Sequence, residues 1–220
     1  MKTTFYLVRH GESLGNMTRT FLGHTDLDLS ELGYKQAELT AKALENTHFD
    51  YIYSSDLIRA YNTAVPIAKS HNLEINTNKN FRELHAGRWE GKNVDQILAV
   101  DEDLFINGWR RNFGLMTLPD GEAVLDAGKR FLRELELLSQ AFPGAVILVA
   151  SHAAVIRSFW SIIIGLKPEE FATGLHFPGN ASYSIVEVDN GVFKPIEYSI
   201  SSHLGELATY INEKVSSIER

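Results

Sequence analysis

The chain contains no cysteine among its 220 residues. Structural disulfides and zinc sites built on thiolates are therefore excluded. No apolar run approaches the roughly 20 residues that a membrane-spanning helix needs, so no membrane partner is expected. Positive charge is scarce: 21 Lys and Arg stand against 28 Asp and Glu, a formal net charge of -7. A nucleic-acid partner would call for a basic face or stripe, and none is visible. The opening Met1-Lys2-Thr3-Thr4-Phe5 enters an apolar segment at once, without the leader and cleavage site of a signal peptide, which makes a cytoplasmic protein the expectation. Repeats and low-complexity stretches are missing as well. No His-x-x-x-His pair of helix-borne ligands occurs, and no cluster of Asp and Glu with magnesium-site character accompanies the basic groups, so the expectation is no metal and no cofactor.

What the chain does have is enough apolar material for one sizeable core. With 44% hydrophobic residues it is expected to form a single domain over residues 1–220. Two short apolar runs, Thr4-Phe5-Tyr6-Leu7-Val8 and Val146-Ile147-Leu148-Val149-Ala150, read as buried strands. The first ends in Arg9-His10-Gly11-Glu12-Ser13 and the second in Ser151-His152-Ala153-Ala154. A third, Tyr51-Ile52-Tyr53, runs into Ser54-Ser55-Asp56-Leu57-Ile58-Arg59-Ala60, which places Arg59 near the start of the following helix. In open α/β sheets ligands bind at the carboxyl ends of strands. Two histidines and two arginines therefore converge on one phosphate-sized site. Arg9 offers a fixed fork of donors that matches phosphate, His10 offers a ring nitrogen that is nucleophilic near neutral pH, and Gly11 permits close backbone approach to a ligand. Arg82-Glu83-Leu84-His85-Ala86-Gly87-Arg88-Trp89-Glu90-Gly91 adds a carboxylate on a loop rich in turn residues.

Between these phrases the pattern alternates strand and helix. Ser30 is a fitting N-cap for a helix to about Asn46, with Leu32, Ala37, Ala41 and Leu44 on one face. Asp56 can cap the next helix, in which Pro66 predicts a kink or an early end. Gly121 to Phe142 carries Leu125, Phe131, Leu132, Leu135 and Leu138 at helical spacing, and Ala153 through Ile164 reads as a buried helix. Tyr183 to Val188 and Val192 to Ile196, separated by Asp189-Asn190-Gly191, read as a hairpin.

Taken together, the phrases Arg9-His10-Gly11, Ser54-Ser55-Asp56 with Arg59-Ala60, Arg82-Glu83-Leu84 and the late His152, with Gly23-His24-Thr25-Asp26 between them, closely resemble the histidine phosphatase superfamily, the phosphoglycerate-mutase-like proteins. The likeness runs over nearly the whole chain. With the strand and helix alternation it implies a three-layer α/β/α sandwich around a mostly parallel, mixed central sheet. It implies that His10 is the nucleophile, that Arg9, Asn16 and Arg59 bind phosphate, that Glu83 is the proton donor, and that His152 lies beside the transferring group and donates to a phosphoryl oxygen. The expected activity is metal-independent hydrolysis of small phosphorylated metabolites through a phosphohistidine.

Two alternatives stand beside that expectation. A cofactor-dependent phosphoglycerate mutase shares the Trp109-Arg110-Arg111 phrase, but carries a longer insertion after it, whereas Pro119-Asp120-Gly121-Glu122 arrives here within a few residues. A non-catalytic phospholigand-binding module would be expected to have lost His10 or Glu83, and both are present. Arg110 and Arg111 could bind an anionic substrate tail, or form a solvated face. Where the superfamily commonly has two glycines after the late histidine, Ala153 and Ala154 add methyl groups, which predicts a tighter pocket floor or a slightly displaced His152. His24, His48, His71, His85, His176 and His203 read as ordinary surface or core histidines, with His176, beside Pro178-Gly179-Asn180, a neighbour of the pocket. Specificity is expected from variable loops over residues 85 to 122.

Overall fold

The computed structural model describes residues 1–209. In chain order its elements are β1 (Thr3–Arg9), α1 (Leu14–Met17), α2 (Glu31–Leu44), β2 (Tyr51–Ser54), α3 (Ile58–His71), β3 (Ile75–Thr77), α4 (Val94–Asp103), α5 (Val124–Ala141), β4 (Val146–Ser151), α6 (Ala153–Ile163), α7 (Phe171–Gly174), β5 (Tyr183–Asp189) and β6 (Val192–Ile200).

Alternation along the central strands sets the layers. Successive side chains of a strand face opposite sides of the sheet. Phe5 and Leu7 of β1, with Ile147 and Val149 of β4, join the core under α5 and α6, where Phe131, Leu135 and Phe159 are fully buried. Val8, Leu148 and Ala150 face the other way, against Ala41 and Leu44 of α2 and Ala64 and Ile67 of α3. Both faces are covered. The strands run in the order β3-β2-β4-β1-β5-β6. The first four are mutually parallel, while β5 runs antiparallel to β1 and β6 antiparallel to β5. This is the expected three-layer sandwich with a mostly parallel, mixed sheet. Because β2, β4 and β1 are parallel neighbours, their carboxyl ends lie side by side on one edge.

The local signals hold in α2, α5 and α6 and in the hairpin. Ser30 Oγ accepts from Gly33 N at 3.0 Å, capping α2. Asn190 and Gly191 take φ of 50° and 78°, the left-handed pair that a two-residue hairpin turn needs. Three expectations are corrected. Asp56 does not cap α3: Arg82 takes its carboxylate through two bonds of 2.6 Å, and Asp26 instead accepts from Ile58 N at 2.7 Å. Helix α3 neither stops nor breaks at Pro66, but continues to His71, with Thr63, Ala64, Ile67 and Ala68 buried along one side. Packing outweighs the lost N–H donor. Residues 85 to 122, read as variable loops, hold α4 and a π-helical segment, Leu104–Arg111.

Candidate active site

Strand β1 delivers Arg9 and His10 into a cavity of about 870 Å³ whose wall includes Arg9, His10, Asn16, Arg59, Glu83 and Arg110. The main chain of His10 is fixed on both sides: its N donates to Ser151 O at 3.0 Å, and its carbonyl accepts from Ala181 N at 3.1 Å. Ala181 makes that bond from φ 53°, a left-handed conformation that costs an L-residue about 1–2 kcal/mol. The ring is fixed too. His10 Nδ1 lies 2.7 Å from Gly11 O, and since a carbonyl only accepts, Nδ1 carries the proton and Nε2 keeps the lone pair. Burial, then the Arg59 and Arg9 charges, hold this imidazole well below its usual pKa of 6.5, so it is neutral at neutral pH.

Gly11 serves a different close approach from the one expected. A Cβ there would stand 2.5 Å from Gly33 O, so its lack of a side chain lets the loop after β1 lie against the start of α2.

Both arginines are buried, Arg9 and Arg59 each being 1% exposed. Burial lowers each pKa to about 10, with Glu83 opposing the fall in both cases, and each stays a cation at neutral pH. Arg9 Nη1 donates to Pro178 O at 2.5 Å, and its Nε has no partner among the described residues. Arg59 donates to Thr25 O at 2.9 Å and Gly23 O at 2.8 Å. Two of its five donors are thus anchored, which aims the fork.

Asn16 is oriented by its neighbours. Its Oδ1 accepts from Ser13 N, Ser13 Oγ and Asn180 Nδ2 at 3.0, 3.0 and 3.1 Å, which leaves the Nδ2 donors for the cavity. His152 is fully buried as the residue before α6, its ring 5.1 Å from that of His10. It is not on the cavity wall, so the ring does not line the space where the expected donation to a phosphoryl oxygen would take place. Neither of its ring nitrogens has a partner among the described residues. Burial, then Arg59 and His10, keep it well below its usual pKa and therefore neutral.

Glu83 rests on the first turn of α6. Its Oε1 accepts from Leu84 N and Val155 N at 3.0 Å each, and its Oε2 from Ala154 N at 3.1 Å. Ala153 and Ala154 line the cavity at 5% and 3% exposure, so the added methyls are part of the floor while the backbone donors remain in use. Arg110 reaches the wall and lies 5.1 Å over the Phe105 ring. Arg111 does not reach it, and donates to Asn107 Oδ1 at 3.2 Å. His176 is also outside the wall, its ring against Tyr198, and Phe177 and Asn180 are the wall residues of that stretch. No group of three or more His, Asp or Glu able to hold a metal ion occurs among the described residues.

Three residues at the site were missed in the sequence. Asn180 orients Asn16, and its Nδ2 also reaches His10 O at 3.4 Å. His24, read as ordinary, donates from Nε2 to Glu83 O at 2.9 Å. Glu90 accepts from His24 N, Ala86 N and Thr25 Oγ1 at 2.9, 3.2 and 3.2 Å, tying the loop that holds Arg59 to the loop that carries Glu83. The signal for His24 lay in the Gly23-His24-Thr25-Asp26 phrase, whose polar residues have no helix or strand to serve.

Comparison with known proteins agrees with this geometry. The family model of the histidine phosphatase superfamily (branch 1) matches residues 5–200. The chain is 32% identical over 201 residues to phosphoserine phosphatase 1 of Hydrogenobacter thermophilus, covering 91% of this chain and 93% of that one. It is 33% identical over 165 residues to the probable phosphoglycerate mutase GpmB of Yersinia pestis, covering 73% and 74%. The solved structure of YhfR from Bacillus stearothermophilus superposes with a TM-score of 0.87 at 29% identity, over 92% of this chain and 99% of that one. On the sequence match and the shared architecture, the chain belongs to the histidine phosphatase superfamily.

Proposed function

We propose that this chain is a phosphomonoester hydrolase acting on small phosphorylated metabolites through a phosphohistidine on His10, without a metal ion. The observation that carries the proposal is the tautomer: Nδ1 of His10 is held by the Gly11 carbonyl at 2.7 Å, which presents the Nε2 lone pair beside two buried arginines. A phosphate dianion repels a nucleophile unless its charge is neutralised and held in line. Arg9 and Arg59 do this. A unit charge about 4 Å from the phosphoryl group is worth on the order of 4 kcal/mol at an effective dielectric near 20, whereas surface carboxylates beyond about 8 Å are largely screened. The local pocket therefore wins over the chain's acidic surface.

In the first half-reaction His10 Nε2 bonds to phosphorus as the P–O ester bond breaks. Glu83, in its protonated form, gives a proton to the leaving alkoxide. In the second, water attacks phosphorus, the P–N bond breaks, and the water's proton returns to the Glu83 carboxylate, releasing inorganic phosphate. Arg9 lines the cavity, and its Nε, without a partner among the described residues, supplies a donor to the phosphoryl oxygens in both halves.

The phosphoserine phosphatase likeness, over nine-tenths of each chain, supports hydrolysis over mutase chemistry. A mutase must keep water from the phosphohistidine while a bisphosphorylated intermediate turns over, which requires a closing lid and a second anion site. The connection from Phe113 to Gly121 is short, and Phe113, Gly114, Met116 and Leu118 along it are buried in place. The test is a panel of sugar phosphates, phosphoglycerates, nucleotides and phosphorylated amino acids, assayed with EDTA present. Release of inorganic phosphate without added 2,3-bisphosphoglycerate is expected. Primer-dependent interconversion of 2- and 3-phosphoglycerate faster than any phosphate release would overturn the reading.

A further inference from the structure

We propose that the preferred substrates are phosphomonoesters whose leaving group is a ring-sized apolar body, selected by the π-helical segment Leu104–Arg111. The inference rests on the hydrolase reading and names the substrate class for the same site. At about 870 Å³ the cavity is far larger than a phosphoryl group needs. Its catalytic end is polar. The remainder of the wall includes Phe21, Leu98, Phe105, Trp109, Leu118 and Phe177.

These side chains form one fixed surface. Trp109 sits edge-on to Phe21 with ring centroids 5.0 Å apart, and nearly parallel to Phe177 at 5.9 Å and 20°. Phe21 in turn meets Phe105 at 6.0 Å. Behind them Trp89 and Phe113, both fully buried, pack against Trp109 at 6.4 and 5.0 Å. A wall of rings locked from behind keeps its shape, and ordering it on binding costs little entropy.

The helical register explains how the wall is built. The i→i+5 bonding of a π-helix brings residues five apart to one side, where an α-helix would turn them well apart. Phe105 and Arg110 are such a pair, the guanidinium lying 5.1 Å over the Phe105 ring, and Trp109, four residues from Phe105, reaches the cavity beside them. Of the charged groups on this part of the wall, Arg19 and Asp95 are exposed and Arg110 is half-buried, while the buried Arg157 lies 4.2 Å over the Phe177 ring and donates to Phe171 O and Ala172 O. A small zwitterionic leaving group such as serine would leave its ammonium desolvated among rings and the Arg157 cation, none of which offers it an acceptor. A phenyl-sized group would be covered instead.

The experiment compares 2-phenylethyl phosphate, ethyl phosphate and O-phosphoserine. All three are alkyl esters, so the comparison reads the pocket and not the ease of leaving. The expected kcat/KM for the phenylethyl ester is at least about tenfold above the other two. Trp109→Ala should cut that ratio by about tenfold, and Phe105→Leu, a milder change, should move it the same way, with folding checked by circular dichroism. Equal or better hydrolysis of ethyl phosphate or O-phosphoserine, or a ratio unchanged in both variants, overturns the inference and leaves the hydrolase reading standing. No phosphate from any ester overturns both.

Discussion

Replacing Arg59 by methionine keeps an unbranched apolar stem and removes the guanidinium and its charge. Three consequences follow from the geometry. The phosphoryl group loses one of two buried cations, worth on the order of 4 kcal/mol at about 4 Å and an effective dielectric near 20. At 1.36 kcal/mol per decade this is roughly a 1,000-fold fall in kcat/KM. Gly23 O and Thr25 O lose the donors that held them at 2.8 and 2.9 Å, at a cost of about 1–3 kcal/mol for each carbonyl left unsatisfied. Removing a buried charge gives back part of its desolvation penalty, so the net loss of stability should be smaller than that sum. Arg59→Lys separates the parts. It retains the cation, but with three donors and two carbonyls to satisfy, only one donor remains for the phosphate, so its kcat/KM should lie between wild type and Arg59→Met. The assay is kcat/KM on any ester the wild type hydrolyses, with the inhibition constant of inorganic phosphate measured alongside. A folded Arg59→Met protein within about tenfold of wild type in kcat/KM would refute the view that arginines neutralise the phosphate.

Glu83→Gln should slow turnover more for alkyl than for aryl esters, because alkoxides need the proton most; equal slowing would remove Glu83 from the acid's role. The variant should also lose some stability, since a glutamine NH2 placed at Oε2 would oppose the Ala154 N–H. Glu90→Ala should weaken phosphate inhibition and lower kcat/KM by about 10–100-fold through the loop that anchors Arg59, with Glu90→Gln intermediate; unchanged phosphate inhibition in the alanine variant would show that the clamp does not reach the site. His10 and His152 both have folded-state pKa values well below 6.5. Between that lowered value and 6.5 the unfolded chain binds more protons, so their contribution is fully present above pH 6.5 and is lost as pH falls below it. Chemical denaturation of wild type and His152→Gln across pH 5 to 7 should show the wild type losing more stability on acidification.

Much of this site was legible because strand ends are rigid. An apolar run with β-branched residues can be read as a strand, and the next residues, Arg9-His10 and Ser151-His152, then have little freedom in where they go. Parallel pairing of β2, β4 and β1 does the rest. Helices α2, α5 and α6 were equally readable from their apolar faces. The failures have a common cause. Asp56 beside a helix start is a sound local signal, but Arg82, 26 residues later, outcompetes the helix for its carboxylate. Asp26, 32 residues before Ile58, takes over the cap. Glu90 and Asn180 act on backbone and side-chain groups brought near by the fold, and a contact between distant loops leaves no periodicity to read. The π-helical segment was hidden for a related reason: Phe105 and Trp109 are spaced as on one face of an α-helix, and only Arg110, five residues from Phe105, departs from that spacing.

The central claim is a covalent bond between phosphorus and His10. Incubation with a 32P-labelled phosphomonoester, followed by a rapid quench and mass mapping of the digest, should trap one phosphoryl group on the peptide containing His10. The adduct should be acid-labile and alkali-stable, and absent from His10→Ala together with turnover. Turnover and labelling retained in His10→Ala, or a label found elsewhere on the chain, would contradict the account.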